Sequence, residues 1–186
     1  MAAWKNVFSQ DSGHALVELA VSLPLLLVLV LGVIDFGRAI YDVQVITNLT
    51  AEGSSMASRG ISPLEAAQAV VTDAGTNLNM STLGCVIVTQ VYNPANAAHT
   101  LQVTAQSTGQ GACGGITSKV GCVISSTCKN DQATIPAEAA SALLDSSVPF
   151  QTLYVTEIYY TYKPITPIGH FLNNILPAQL YNAAYY

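Results

Sequence analysis

The chain has 186 residues, and only 9% of them are charged, against about 25% in an ordinary soluble domain. Its net charge is −5, with the six Lys and Arg scattered singly, so it lacks the basic patch that drives binding to nucleic acid. That length leaves room for one modest core beside an anchoring segment, and the mean hydropathy of +0.41 excludes a typical cytosolic surface.

The first element is apolar. Residues Ala15 to Ile34, ALVELAVSLPLLLVLVLGVI, are long enough to cross about 30 Å of hydrocarbon as a helix, whereas a secretory core runs about 7 to 15 residues. No small-residue cleavage site follows, so the segment reads as a retained span. Pro24 lacks an amide and frees the Ala20 carbonyl, which predicts a helix kink. Glu18 lies inside the run, where a lone carboxylate costs about 2.5 to 3.5 kcal/mol and therefore requires a partner or a task. Beyond the span, Val33, Phe36, Ile40, Val43, Thr47, Thr50, Ser54 and Ala57 recur at three- and four-residue intervals and predict one helical stripe reaching Ser58. Asp35, Arg38 and Asp42 are spaced for ion pairing along it.

Gly13, then His14, then Glu18 five positions after the glycine, all leading into an apolar helix, resemble the processing and assembly signature of type IV pilin-like proteins. The stretch GHALVELAVSLPLLLVLVLGVIDFGRAIYD resembles the N-terminal motif of the TadE-like family, minor pilins (pseudopilins) of tight adherence (Tad) pili. NLTAEGSSMASRG and VTEIYYTYKPITPIG are similar to that family's helix continuation and late strand. The resemblance implies a leader at 1–13, cut by a prepilin peptidase between Gly13 and His14. It implies a long helix at 14–58, with the membrane part about 15–34, and an extracytoplasmic head at 59–186. Glu18 would neutralise the new amino terminus, in its own or a neighbouring subunit. The implied partners are that peptidase, other pilins and pseudopilins, the Tad inner-membrane machinery and the lipid bilayer; no cofactor is implied. Placement would be single-pass in a bacterial inner membrane with the head outside.

Further along, Ser62, Pro63, Leu64 and Glu65 form a capping box that opens a helix with apolar face Leu64, Ala67, Val70, Val71 and Ala74, ended by Gly75. Leu83 to Tyr92 and Leu101 to Gln106, around the loop NPANAAH, predict a hairpin. Val120 to Ser125 predicts an irregular strand and Pro136 to Leu144 a second short helix. Leu153 to Lys163 is the strongest strand signal, ended by PITP. Ile168, Phe171, Leu172 and Ile175 predict a helical turn, and Gln179 to Tyr186 a last strand. With no βαβ rhythm, the fold class is α+β with an antiparallel sheet.

Cys85, Cys113, Cys122 and Cys128 all follow the apolar segment, an even count that suits an oxidising compartment and allows three pairings. They favour export of the C-terminal part, because Lys5 and Arg38 on either side of the span leave the positive-charge rule undecided. GQGACG, Gly109 to Gly114, has dinucleotide-loop spacing, but the β-branched, glycine-rich sequence after it does not open the required helix; a disulfide-stapled loop fits better. His14, His99 and His170 have no metal-ligand spacing. No G-x-S-x-G or HExxH motif occurs. Seven of the nine tyrosines fall from Tyr154 onward, where strand alternation assigns them to packing and sheet-surface contacts. The reading is a non-enzymatic minor pilin acting in assembly or priming of a Tad-type pilus. The alternatives are the main structural subunit of the filament and an anchored extracytoplasmic enzyme or sensor.

Overall fold

The computed structural model describes residues 11–75, 78–94, 101–121, 131–137, 139–140, 148, 150–167 and 178–186. The chain divides into two compact units, Met1–Ile40 with Pro164–Leu176, and Tyr41–Lys163 with Pro177–Tyr186. Helix α1, Asp11–Ser58, contributes to both.

In the first unit, the Leu- and Ala-rich run from Ala15 to Leu31 contains no glycine, and its strong helix formers carry α1 unbroken through Pro24. The Ser22 hydroxyl, in the turn before the proline, donates to the Leu19 carbonyl at 3.4 Å. Further along, Asp35 is buried, and its carboxylate accepts from the amides of Ile165 and Thr166 at 3.2 Å each and from the Thr166 hydroxyl. The proline-flanked turn at 164–167 supplies these hydrogen bonds, beside the Coulombic attraction of Arg38 that the sequence spacing predicts. Three donors on one buried carboxylate are what makes its burial tolerable.

The second unit is α+β. Helices α2, Pro63–Asp73, and α3, Met80–Leu83, precede strands β1, Gly84–Tyr92, β2, Gln102–Gln106, β3, Gln110–Gly111, β4, Asp131–Gln132, β5, Thr152–Thr161, and β6, Gln179–Tyr185. The predicted capping box is present: the Ser62 side chain accepts from the Glu65 amide while the Glu65 carboxylate accepts from the Ser62 amide. Pairing is antiparallel throughout the described sheet, in the order β4, β2, β1, β5, β6, with β3 also on β1. The predicted hairpin is the β1–β2 pair, and the predicted late strand is the central β5. Of the predicted strand at 120–125, residues 120 and 121 lie in a turn and a bend and 122–125 lie outside the described residues; the short strand beside β2 is β4. At 136–140 the Ala140 amide bonds the Pro136 carbonyl, one turn of helix. The rest of that predicted helix, and the predicted turn at 168–175, lie outside the described residues.

Within this unit the buried face of α1 is Asp42, Ile46, Leu49, Thr50, Gly53, Ser54 and Ala57. The apolar stripe read from the sequence shares only its end with this face, since Val43 and Thr47 are exposed. The reason is close approach. A Cβ on Gly53 would lie 2.9 Å from Thr156 Oγ1 and 2.9 Å from Val70 Cγ2, so small residues seat α1 against β5 and α2. Ser54 completes the contact: its hydroxyl accepts from the Thr156 amide at 3.0 Å and donates to the Ala184 carbonyl at 2.9 Å, joining β5 to β6. Two core clusters fill the opposite face of the sheet, one around Val91, Val103, Leu153 and Val155, the other around Cys85, Ile87 and Tyr159.

Candidate functional site

Three features carry polar or reactive groups: the start of α1, the disulfide loop, and a polar cluster on β5. At the start of α1, Gly13 lies within the helix, and His14 and Glu18 are exposed, four residues apart and hence on one helical face. The apolar residues beyond are exposed on all sides, Leu16 at 67%, Val21 at 70% and Leu25 at 70%. A helix apolar all round has no reason to be stable in water and belongs in lipid or among other helices. Among the described residues, one helical stretch, within His14–Ser58, is long and apolar enough to cross a membrane.

The loop GQGACG is held by sheet pairing and a covalent link. Gly111 pairs with Cys85 at φ +96°, and a Cβ there would sit 2.3 Å from the Gly84 carbonyl oxygen, so the glycine serves close backbone approach. Cys85 and Cys113 form a disulfide. Among the described residues that follow, 115–121, no helix opens, which removes the geometry a dinucleotide site needs and supports the stapled-loop reading. Cys122, Cys128, His99 and His170 lie outside the described residues.

The third feature was not read from the sequence. Glu157, in the middle of β5, has no exposed surface. Its Oε1 accepts from the Lys119 amide at 2.9 Å, the Tyr159 hydroxyl at 2.9 Å and the Tyr181 hydroxyl at 3.1 Å, while Oε2 accepts from the Ser118 hydroxyl. Strand alternation puts Glu157 and Tyr159 on one face, and register sets Tyr181 beside Tyr159, with ring centroids 4.9 Å apart. The Lys119 ammonium stands 3.5 Å over the Tyr181 ring. Burial first, then the Glu157 charge, pushes Tyr159 and Tyr181 far above the ordinary tyrosine range, and Tyr185 upward for the same two reasons. The phenols therefore stay protonated as donors at neutral pH, and both carboxylate oxygens of Glu157 are hydrogen-bonded. A cleft of about 370 Å³ borders it, lined in part by Lys119, Ile135, Pro136, Tyr181 and Tyr185. Among the described residues no group of three His, Cys, Asp or Glu is placed to hold a metal ion.

The geometry thus separates an exposed apolar helix from a sheet unit built for stability. Residues 13–55 match the family described as TadE-like protein. No curated protein matches the chain, and neither does any solved structure. The matched segment holds Gly13, His14, Glu18 and Pro24 and ends before α2.

Proposed function

We propose, from the TadE-like character of residues 13–55, that the chain is a membrane-anchored minor pilin acting in assembly or priming of a Tad-type pilus. The observation that carries this reading is the coincidence of the family match with a helix whose apolar residues from Ala15 to Val30 are exposed on every side. Cleavage between Gly13 and His14 leaves a new ammonium within about one helical turn, roughly 5.4 Å of rise, of Glu18. The carboxylate is then neutralised where hydrocarbon would otherwise penalise it by about 2.5 to 3.5 kcal/mol. The remaining apolar surface is equally at home in lipid and among neighbouring helices, so lateral transfer into a filament exchanges one apolar environment for another. The sheet unit is carried on the outer side of a bacterial inner membrane, in a structural and not an enzymatic role.

The test is the intact mass of the full chain extracted from membranes with and without a prepilin peptidase. Loss of residues 1–13 is expected with the peptidase, and Gly13→Ala is expected to abolish it. A mass that retains Met1 to Gly13 in the presence of active peptidase overturns the reading.

A further inference from the structure

Within the first unit, residues Ala15 to Val30 are exposed all round α1, and burial starts at Leu31 and Gly32, which are half-buried, before Asp35 and Ala39 are covered fully on the same side. At 1.5 Å per residue, Ala15 to Ile34 fills about 30 Å of hydrocarbon. Protein therefore already covers part of the last turn of the span, and Asp35 stands at its edge. The cover over the Asp35 carboxylate is the turn 164–167, Pro-Ile-Thr-Pro.

Every donor of this turn is used. Pro164 and Pro167 have no amide, and the two amides that remain, those of Ile165 and Thr166, both donate to Asp35, as does the Thr166 hydroxyl. Irregular backbone is ordinarily kept away from lipid because its N–H groups lose their water partners there. This turn escapes that penalty on its donors, and its exposed surface is apolar: Thr166 is buried, Ile165 is 62% exposed and Pro167 is exposed too. Along the helix Val33, Phe36 and Ile40 are exposed as well, so the apolar surface of the span continues past Asp35.

We propose that the turn 164–167 is a second membrane contact, in which Ile165 and Pro167 enter the bilayer at the boundary between hydrocarbon and headgroups while Asp35 accepts the donors behind them. Lipid is the occupant because the surface is continuous with that of the span and lies at its end. The contact sets how far α1 sinks, since the turn is pinned to the residue that follows Ile34. This inference rests on the reading of α1 as a membrane span, and the experiment separates the two.

Trp4 is the only tryptophan of the chain, so Trp4→Phe gives a silent background for Ile165→Trp and, separately, for Leu25→Trp in the middle of the span. Each full chain is reconstituted in phosphatidylcholine vesicles carrying bromine either near the headgroups or near the ends of the acyl chains. Ile165→Trp is expected to be quenched about twofold more by bromine near the headgroups, and Leu25→Trp more by bromine near the chain ends. Adding Asp35→Ala to the Ile165→Trp chain leaves two amides without their acceptor, and quenching at 165 is expected to fall by about half or more as the turn returns to water. Far-UV circular dichroism checks that this chain is folded. A quenched Leu25→Trp with an unquenched Ile165→Trp overturns the proposal and leaves the span standing. An unquenched Leu25→Trp removes both, and quenching at 165 that is indifferent to Asp35→Ala overturns the part assigned to the carboxylate.

Discussion

Glu157 gathers four donors on a carboxylate with no exposed surface, so its chemistry is hard to replace. Glutamine at this position keeps the volume but turns one acceptor into a donor that faces other donors, at a cost of about 2 to 3 kcal/mol. Urea titration of the Glu157→Gln chain in micelles should show that loss, with the circular dichroism of the folded state unchanged. Alkaline behaviour follows from the same cluster. Tyr159, Tyr181 and Tyr185 ionise at higher pH folded than unfolded, so the stability they confer is fully present below the unfolded value near pH 10 and declines above it. Ultraviolet titration should therefore show these phenolates appearing together with unfolding. None of this was legible in the sequence. Alternation along LYVTEIYYTYK puts Glu157 and Tyr159 on one face, but nothing local indicates that Ser118 and Lys119, 39 and 38 residues away, return to cover them.

At the scale of elements, the signals that read correctly are those whose cause is local. Ser62 and Glu65 cap α2 because a serine oxygen and a glutamate satisfy neighbouring amides whatever surrounds them, and Ser62→Ala should cost about 1 kcal/mol in thermal denaturation. The strands β1, β2, β5 and β6 are likewise visible as β-branched and aromatic runs between turns. The face of α1 is different, because two demands compete along it. Hydrophobicity marks Val33, Phe36, Ile40 and Val43, all exposed, whereas the sheet selects Gly53 and Ser54 for smallness and hydrogen bonding. A search for period finds the first set and Ser54 but passes over Gly53. Gly53→Val tests this directly: branched methyls would enter the space of Thr156 and Val70, and a loss of about 1 to 3 kcal/mol in chemical denaturation is expected.

Across the whole molecule, the TadE-like match covers residues 13–55, so the placement of the rest relative to a membrane has to be argued from its own chemistry. The Cys85–Cys113 disulfide joins residues 28 apart in sequence, and the loop-entropy picture assigns a bridge of that span about 3.5 kcal/mol. A cytoplasm rich in glutathione and thioredoxin would keep such a pair reduced, whereas an exported unit would keep it bonded. The bond is thus a source of stability, and its redox state in cells would report which side of the membrane the sheet unit occupies. With the sheet unit exported, as proposed, alkylation of intact cells in acid-quenched lysate should leave Cys85 and Cys113 unmodified and joined in one peptide. Protease added to spheroplasts should remove the sheet unit while the α1 span stays with the membrane. Free, alkylated Cys85 and Cys113 together with a protease-resistant sheet unit would reverse the assigned orientation. The apolar stretch of α1 would still be long enough to cross a membrane, whichever way it points.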